Sequence, residues 1–133
     1  MSAFDLIALK QPLGRDDADR MSMPALLYLD AAKRGQGTAA IENGLIRVVV
    51  IVQSIGSIKR NKKFYDLACA GGRALFSAAA RQRELLAFTT GEYQAMRAMI
   101  AAYVRVLPQL DVGTFVMAAR KADATIEEMS RGI

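Results

Sequence analysis

The residues best placed by type and spacing to do chemistry are Lys59, Arg60, Lys62 and Lys63, a dense run of cations followed at once by Phe64 and Tyr65. Ammonium and guanidinium groups neutralise phosphates, and an adjacent aromatic ring can stack on a base. Arg73, Arg81 and Arg83 carry the same basic character along the segment that follows. The competing reading is a solvated link whose charges keep the chain in solution, and it is the heavier of the two. The formal charge of +5, from 18 cations and 13 anions, permits phosphate contact without requiring it. A helix-turn-helix is not recognisable: no pair of short helices with a tight glycine turn leads into a polar, base-reading helix.

Other chemical repertoires are thin. The chain has no histidine, which removes the commonest general base and the commonest zinc ligand together. Cys69 is the single cysteine, so no intrachain disulfide and no Cys-rich zinc site can form. As a nucleophile it would lack an imidazole base, and it reads as a small buried residue among alanines and glycines. Asp16, Asp17 and Asp19 lack the ligand spacing and the glycine of a calcium loop. They read instead as a helix N-terminus, where negative charge suits the dipole. Gly71-Gly72 is followed by no Gly-Lys-Ser/Thr, so it is close helix packing rather than a phosphate loop. Gly35-Gln36-Gly37-Thr38 leads into a helix start, which can hold an anion, but a plain turn capped by Thr38 is the better reading. Tyr65, Tyr93 and Tyr103 are expected at the edge of the core, and methionines such as Met96 and Met99 as gap fillers. These residues assemble no catalytic, metal or cofactor set, and the expectation is a non-enzymatic protein.

The segments that carry these residues read as helices. Leu45 to Val52 is rich in β-branched residues and by propensity alone would be a strand. Ile41, Leu45, Val48, Val52 and Ile55, however, recur at helical spacing. No other segment offers a partner strand, and an unpaired strand would leave its backbone polar groups unsatisfied. A helix from Thr38 to about Ile55, apolar on more than one face, should lie centrally. Arg47 inside it either projects to solvent beside Asn43 or pairs with a carboxylate at a subunit interface.

Before it, a helix is expected from Asp16 or Ser22 to Arg34, with Pro24 in its first turn or as a kink. Leu26, Leu27, Leu29 and Ala32 would be its apolar side, and Gly35 its stop. After it, a helix from Lys62 to about Arg83 carries Phe64, Leu67, Ala68, Gly71, Leu75, Ala78 and Ala79 inward. Leu85 to Phe88 should fold back on the core. Thr89 and Glu92 have the spacing of a capping box. The helix they open carries Tyr93, Met96, Ile100, Tyr103, Val104 and Leu107, and Pro108 ends or kinks it. Asp111 opens the last helix, with Val112, Phe115, Val116 and Ala119 inward. The sum is an all-α, single-domain bundle of four or five helices over 16–122, with a central apolar helix near 39–55 and tails at 1–15 and 123–133.

The order of landmarks, Pro12-Leu13, then Ala31-Ala32-Lys33-Arg34-Gly35-Gln36-Gly37-Thr38, a long apolar helix, a small-residue helix ending in arginines, Tyr93 to Ile100 and Gln109-Leu110, resembles small helical proteins encoded on proteobacterial plasmids, integrative elements and prophages. Some of those carry a loose label as Fis-type regulators. The Arg-Gly-x-Gly-Thr turn is the sharpest part of the likeness. Leu85-Leu86-Ala87-Phe88 departs from it, because an aromatic, glycine-rich turn is expected there. The resemblance implies a mobile-element context and supplies no catalytic residue. The expected function is therefore an accessory or regulatory binding protein that acts by protein contact. A homodimer could use excess apolar surface on the central helix. The alternative is a nucleic-acid-binding regulator using Lys59, Arg60, Lys62, Lys63 and Arg73. With no apolar run near the roughly 20 residues of a bilayer span, and no signal-peptide order at the N-terminus, a cytoplasmic location without membrane contact is expected.

Overall fold

The computed structural model describes residues 3–81 and 84–131. Among them the chain forms α1 (Ala3–Lys10), α2 (Gly14–Lys33), α3 (Ala39–Ile58), α4 (Lys62–Arg81), α5 (Thr90–Val106), a single 3₁₀ turn (Leu107–Gln109) and α6 (Val112–Ser130). The fold is an all-α bundle. Two segments differ from expectation. Residues 3–10, read as tail, form α1 against α6, and α6 continues through the expected C-terminal tail to Ser130. The contact between Pro12 and Asp111, with Val112 N–H donating to Gln11 C=O at 2.9 Å, ties the first link to the start of α6.

α3 is the centre. Leu45, Ile46, Val48, Val49, Ile51, Val52 and Ile55 are all buried, and they cover more than one face of the helix, leaving the strip of Asn43 and Arg47 outside. Helices α2, α4, α5 and α6 stand around it. By length and composition α3 is also apolar enough to cross a membrane, contrary to expectation, and half of that span is buried inside the bundle. Its partners are rich in small side chains. Ala18, Ser22 and Ala25 line the inner stripe of α2, Ala68, Gly71 and Gly72 lie on α4, and Ala118 and Ala122 on α6. On α6 the inward stripe is Thr114, Ala118 and Ala122, while Val112, Phe115, Val116 and Ala119 flank it half-buried. Small residues let the helix axes come close, so the larger side chains settle at the margins.

The helix ends follow local chemistry. Thr38 caps α3, Thr89 and Glu92 form the full capping box of α5, and the Asp111 carboxylate caps α6. α2 ends at Gly35 (φ +77°), with Gln36 N–H donating to Ala31 C=O at 2.8 Å and Gly35 N–H to Ala32 C=O at 3.2 Å. This is a Schellman closure, in which the left-handed residue is normally glycine. Gly37 permits a second close approach. Leu86 N–H donates to its carbonyl at 2.8 Å, and a Cβ there would stand 2.5 Å from Leu86 O. That contact folds the 84–88 connection back, burying Leu86 and half-burying Phe88. α2 continues through the exposed Pro24, so it is the longer helix of the two expected and does not start near Ser22.

Gly56 of α3 faces the backbone of Tyr65 on α4, and an added Cβ would lie 2.9 Å from Tyr65 N and Cα. Backbone cannot move aside as a side chain can. Gly56→Ala is therefore expected to lose about 1–3 kcal/mol in a denaturant titration, despite the better helix propensity of alanine. Gly91, with nothing within 4 Å of its missing Cβ, is the control. Gly91→Ala is expected to gain up to about 1 kcal/mol in the same titration.

Candidate functional site

The basic run lies at the tip of the α3–α4 hairpin, and two of its cations have structural partners. Lys59 Nζ lies 2.7 Å from Asp111 Oδ1, so the end of α3 is pinned to the start of α6. Lys62 Nζ lies 2.7 Å from Asp66 Oδ2, one turn further along α4. Asn61 Oδ1 accepts the amide of Phe64 at 3.1 Å and caps α4. Three of the five residues Lys59 to Lys63 are thus engaged in building the hairpin. Arg60 and Lys63 are exposed and enter no ion pair among the described residues, and neither does Arg73. Arg73 lies about three turns, roughly 16 Å, along α4 from Lys62, on nearly the same side. The structure therefore brings Arg60, Lys62 and Lys63 together at one end and leaves Arg73 as a separate charge. Arg83 lies outside the described residues.

Arg60 stands apart in its backbone. It has φ +52°, the left-handed region, where the α3 Schellman closure would ordinarily hold a glycine. Asn61 N–H donates to Gly56 C=O at 2.9 Å and Arg60 N–H to Ser57 C=O at 3.2 Å, completing the closure. Gly56, Ser57, Arg60, Asn61, Lys62 and Tyr65 surround a shallow, open depression of about 330 Å³ beside it.

Arg81, the other arginine expected on a basic face, is spent on structure. Its guanidinium grips the Glu92 carboxylate through both nitrogens, with Nη1 to Oε2 at 2.8 Å, and Nη2 also donates to Ala87 C=O at 3.2 Å. That grip, assisted by the Thr89 amide, holds the Glu92 carboxyl down at about 2. Asp111 is held at about 2 as well. Burial works against its charge, but the Lys59 ammonium and the Thr114 hydroxyl and amide together outweigh it.

Arg47 pairs within the chain, its Nε donating to Asp123 Oδ1 on α6 at 2.8 Å. Both side chains are largely exposed, so the pair orients α6 more than it stabilises it. Tyr103 is buried and its phenol is pushed up to about 12 by that burial. Tyr65 is exposed and Tyr93 half-buried, with the Lys33 ammonium 5.0 Å from the Tyr93 ring centre. Cys69 is half-buried, with the Gln53 amide 4.0 Å from its sulfur. Lys33, Gly35, Phe88, Thr89 and Tyr93 line a cleft of about 370 Å³ at the opposite end from the hairpin tip. The Thr38 hydroxyl accepts the Ile41 amide, so the start of α3 is closed by its own cap.

A second surface lies on α2. Leu29 and Ala32 face the core as expected, but Leu26 and Leu27 do not: they are 45% and 58% exposed, and Met23 is 52% exposed. Composition alone cannot separate the two sides of a helix that is apolar on both. The signal was present in the register, since Ala18, Ser22, Ala25, Leu29 and Ala32 keep a 4-3-4-3 spacing that leaves Met23 and Leu27 opposite. No protein-family model, curated protein or solved structure matches the chain.

Glu92 and Asp111 set an acid limit. Their carboxyls titrate near 4 when unfolded and near 2 when folded, so the stability they add is full above about pH 4 and is lost as pH falls towards 2. The midpoint of thermal unfolding is expected to drop across that window. A Glu92→Gln, Asp111→Asn variant should be less stable at neutral pH and lose less on acidification. Parallel curves for the two proteins would contradict the assignment.

Proposed function

We propose that this chain is a non-enzymatic accessory or regulatory binding protein of a mobile genetic element, and that it acts by protein contact through the outer face of α2. The observation that carries the reading is the exposure of Met23, Leu26 and Leu27 together on one helix whose other face is already packed. Covering a large apolar side chain is worth about 1.5–3 kcal/mol, so three side by side form the energetic centre of an interface. The charged residues Arg20, Asp30 and Arg34 beside them supply a polar rim. The mobile-element context rests on the resemblance carried by the Arg34 to Thr38 turn and the order of helices. In a pull-down from the host after nuclease treatment, the wild type is expected to retain defined protein partners. A Met23→Glu, Leu27→Glu variant with unchanged helical circular dichroism should lose them. Retention of the same partners by the variant would contradict the reading.

A nucleic-acid-binding role for the hairpin tip is favoured by one specific observation. Arg60 occupies a left-handed backbone position that a glycine would fill at lower cost, while its side chain has no ion-pair partner among the described residues. Arg60→Gly is expected to raise stability by about 1 kcal/mol. If Arg60, Lys63 and Arg73 contact phosphates, that variant will also bind duplex or single-stranded nucleic acid more weakly, with a shallower salt dependence. Unchanged retention on a nucleic-acid column would end that reading.

A further inference from the structure

We propose that the partner on the outer face of α2 is a second copy of this chain, docked antiparallel on its own α2 about a twofold axis that passes beside position 25. This rests on the reading of that face as the contact surface. Six exposed residues form the outer seam: Asp16, Arg20, Met23, Leu27, Asp30 and Arg34. Their spacing is 4-3-4-3-4, the spacing of a helix-pairing seam. Each of them stands two residues, about 200° around the helix, from a residue of the inner stripe, Ala18, Ser22, Ala25, Leu29 and Ala32. The seam is therefore the face of α2 turned away from the bundle.

The order of residue types along that seam makes it complementary to itself. Reversing the seam about position 25 sets Met23 opposite Leu27, Arg20 opposite Asp30, and Asp16 opposite Arg34. Each of these pairs then occurs twice across the axis, as an isologous interface requires. No like charges meet. A parallel arrangement would instead place each charge against its own copy, which is repulsive. An apolar cleft of about 380 Å³ lined by Asp19, Arg20, Met23 and Pro24 lies next to the axis, where Leu26 and Leu27 of the second copy can enter. Pro24 fits such a site, because its missing N–H and its exposed ring leave an apolar surface on a helix that must meet a neighbour. In the single chain Asp30 and Arg34 pair with each other at 2.8 Å, and Arg20 lies 3.9 Å from Asp17. These exposed intrahelical pairs are weak, and they can extend into a cross-chain network. A contact built mainly on one helix pair buries a modest area, so the dimer is reversible.

Charge reversal tests the register. Within one chain positions 20 and 30 lie about 15 Å apart along α2, so neither can rescue the other intramolecularly. In sedimentation equilibrium from about 1 µM to about 1 mM, the full chain is expected to form a reversible dimer. Arg20→Asp alone and Asp30→Arg alone should each weaken it about tenfold or more, because each creates like-charge contacts twice. The Arg20→Asp, Asp30→Arg variant should return to within a few-fold of the wild type. A wild type that stays monomeric, a dimer untouched by Met23→Glu with Leu27→Glu, or a double charge variant no tighter than the single ones would overturn the proposal. A monomeric wild type whose captured partner is still lost on Met23→Glu with Leu27→Glu would overturn self-pairing alone and leave the contact surface standing.

Discussion

A helix that carries Leu45, Ile46, Val48, Val49, Ile51, Val52 and Ile55 presents apolar side chains on more than one face, and it is stable only with neighbours on several sides. α3 imposes that requirement, and the other elements answer it. α4 returns along α3 after a three-residue link, α6 lies along another side, and α2 and α5 close the rest. The small residues of the surrounding helices follow from the same demand. Four neighbours can crowd one helix only if their inner faces are narrow, which is the role of Ala18 and Ala25 on α2, Gly71 and Gly72 on α4, and Ala118 and Ala122 on α6.

Most of the charges serve the same arrangement. Lys59 joins the α3–α4 hairpin to the start of α6 through Asp111, Arg81 joins α4 to the start of α5 through Glu92, and Arg47 joins α3 to α6 through Asp123. Two of these pairs connect elements that are distant in sequence, the third joins successive helices, and two of the carboxylates also cap a helix. The cations that made the strongest chemical impression are therefore divided between scaffold and surface. The apolar surface is divided as well. α3 turns most of its own into the bundle, so the proposed self-contact falls not on α3 but on α2, which keeps Met23, Leu26 and Leu27 outside.

Much of this was legible from local signals. Helical periodicity overrode the β-branched composition of α3 because a strand there had no partner. The Thr89–Glu92 capping box, the Thr38 and Asp111 caps and the Gly35 stop are satisfied within a few residues of themselves, so the sequence carries all their information. The losses have one cause, which is dependence on a distant segment. Lys59 looked free because Asp111 lies far along the chain. Residues 3–10 looked like a tail because their support comes from α6. Leu26 and Leu27 looked like core because the neighbours that decide the inner face of α2 belong to α3 and α5. Pro24 is compatible with a helix start or with a longer helix, and packing of Ala18, Ser22 and Ala25 on the preceding and following turns decides for the longer one.

The central claim is that α3 is the core helix of the bundle and that α2 carries the proposed contact face. Amide hydrogen exchange followed by mass spectrometry, at dilute and concentrated protein, tests both halves at once. The account predicts that α3 amides exchange only with global unfolding at either concentration, while residues 16–34 gain protection as concentration rises. Exchange in α3 as fast as in α1, or concentration-dependent protection in α3 with none in α2, would contradict it.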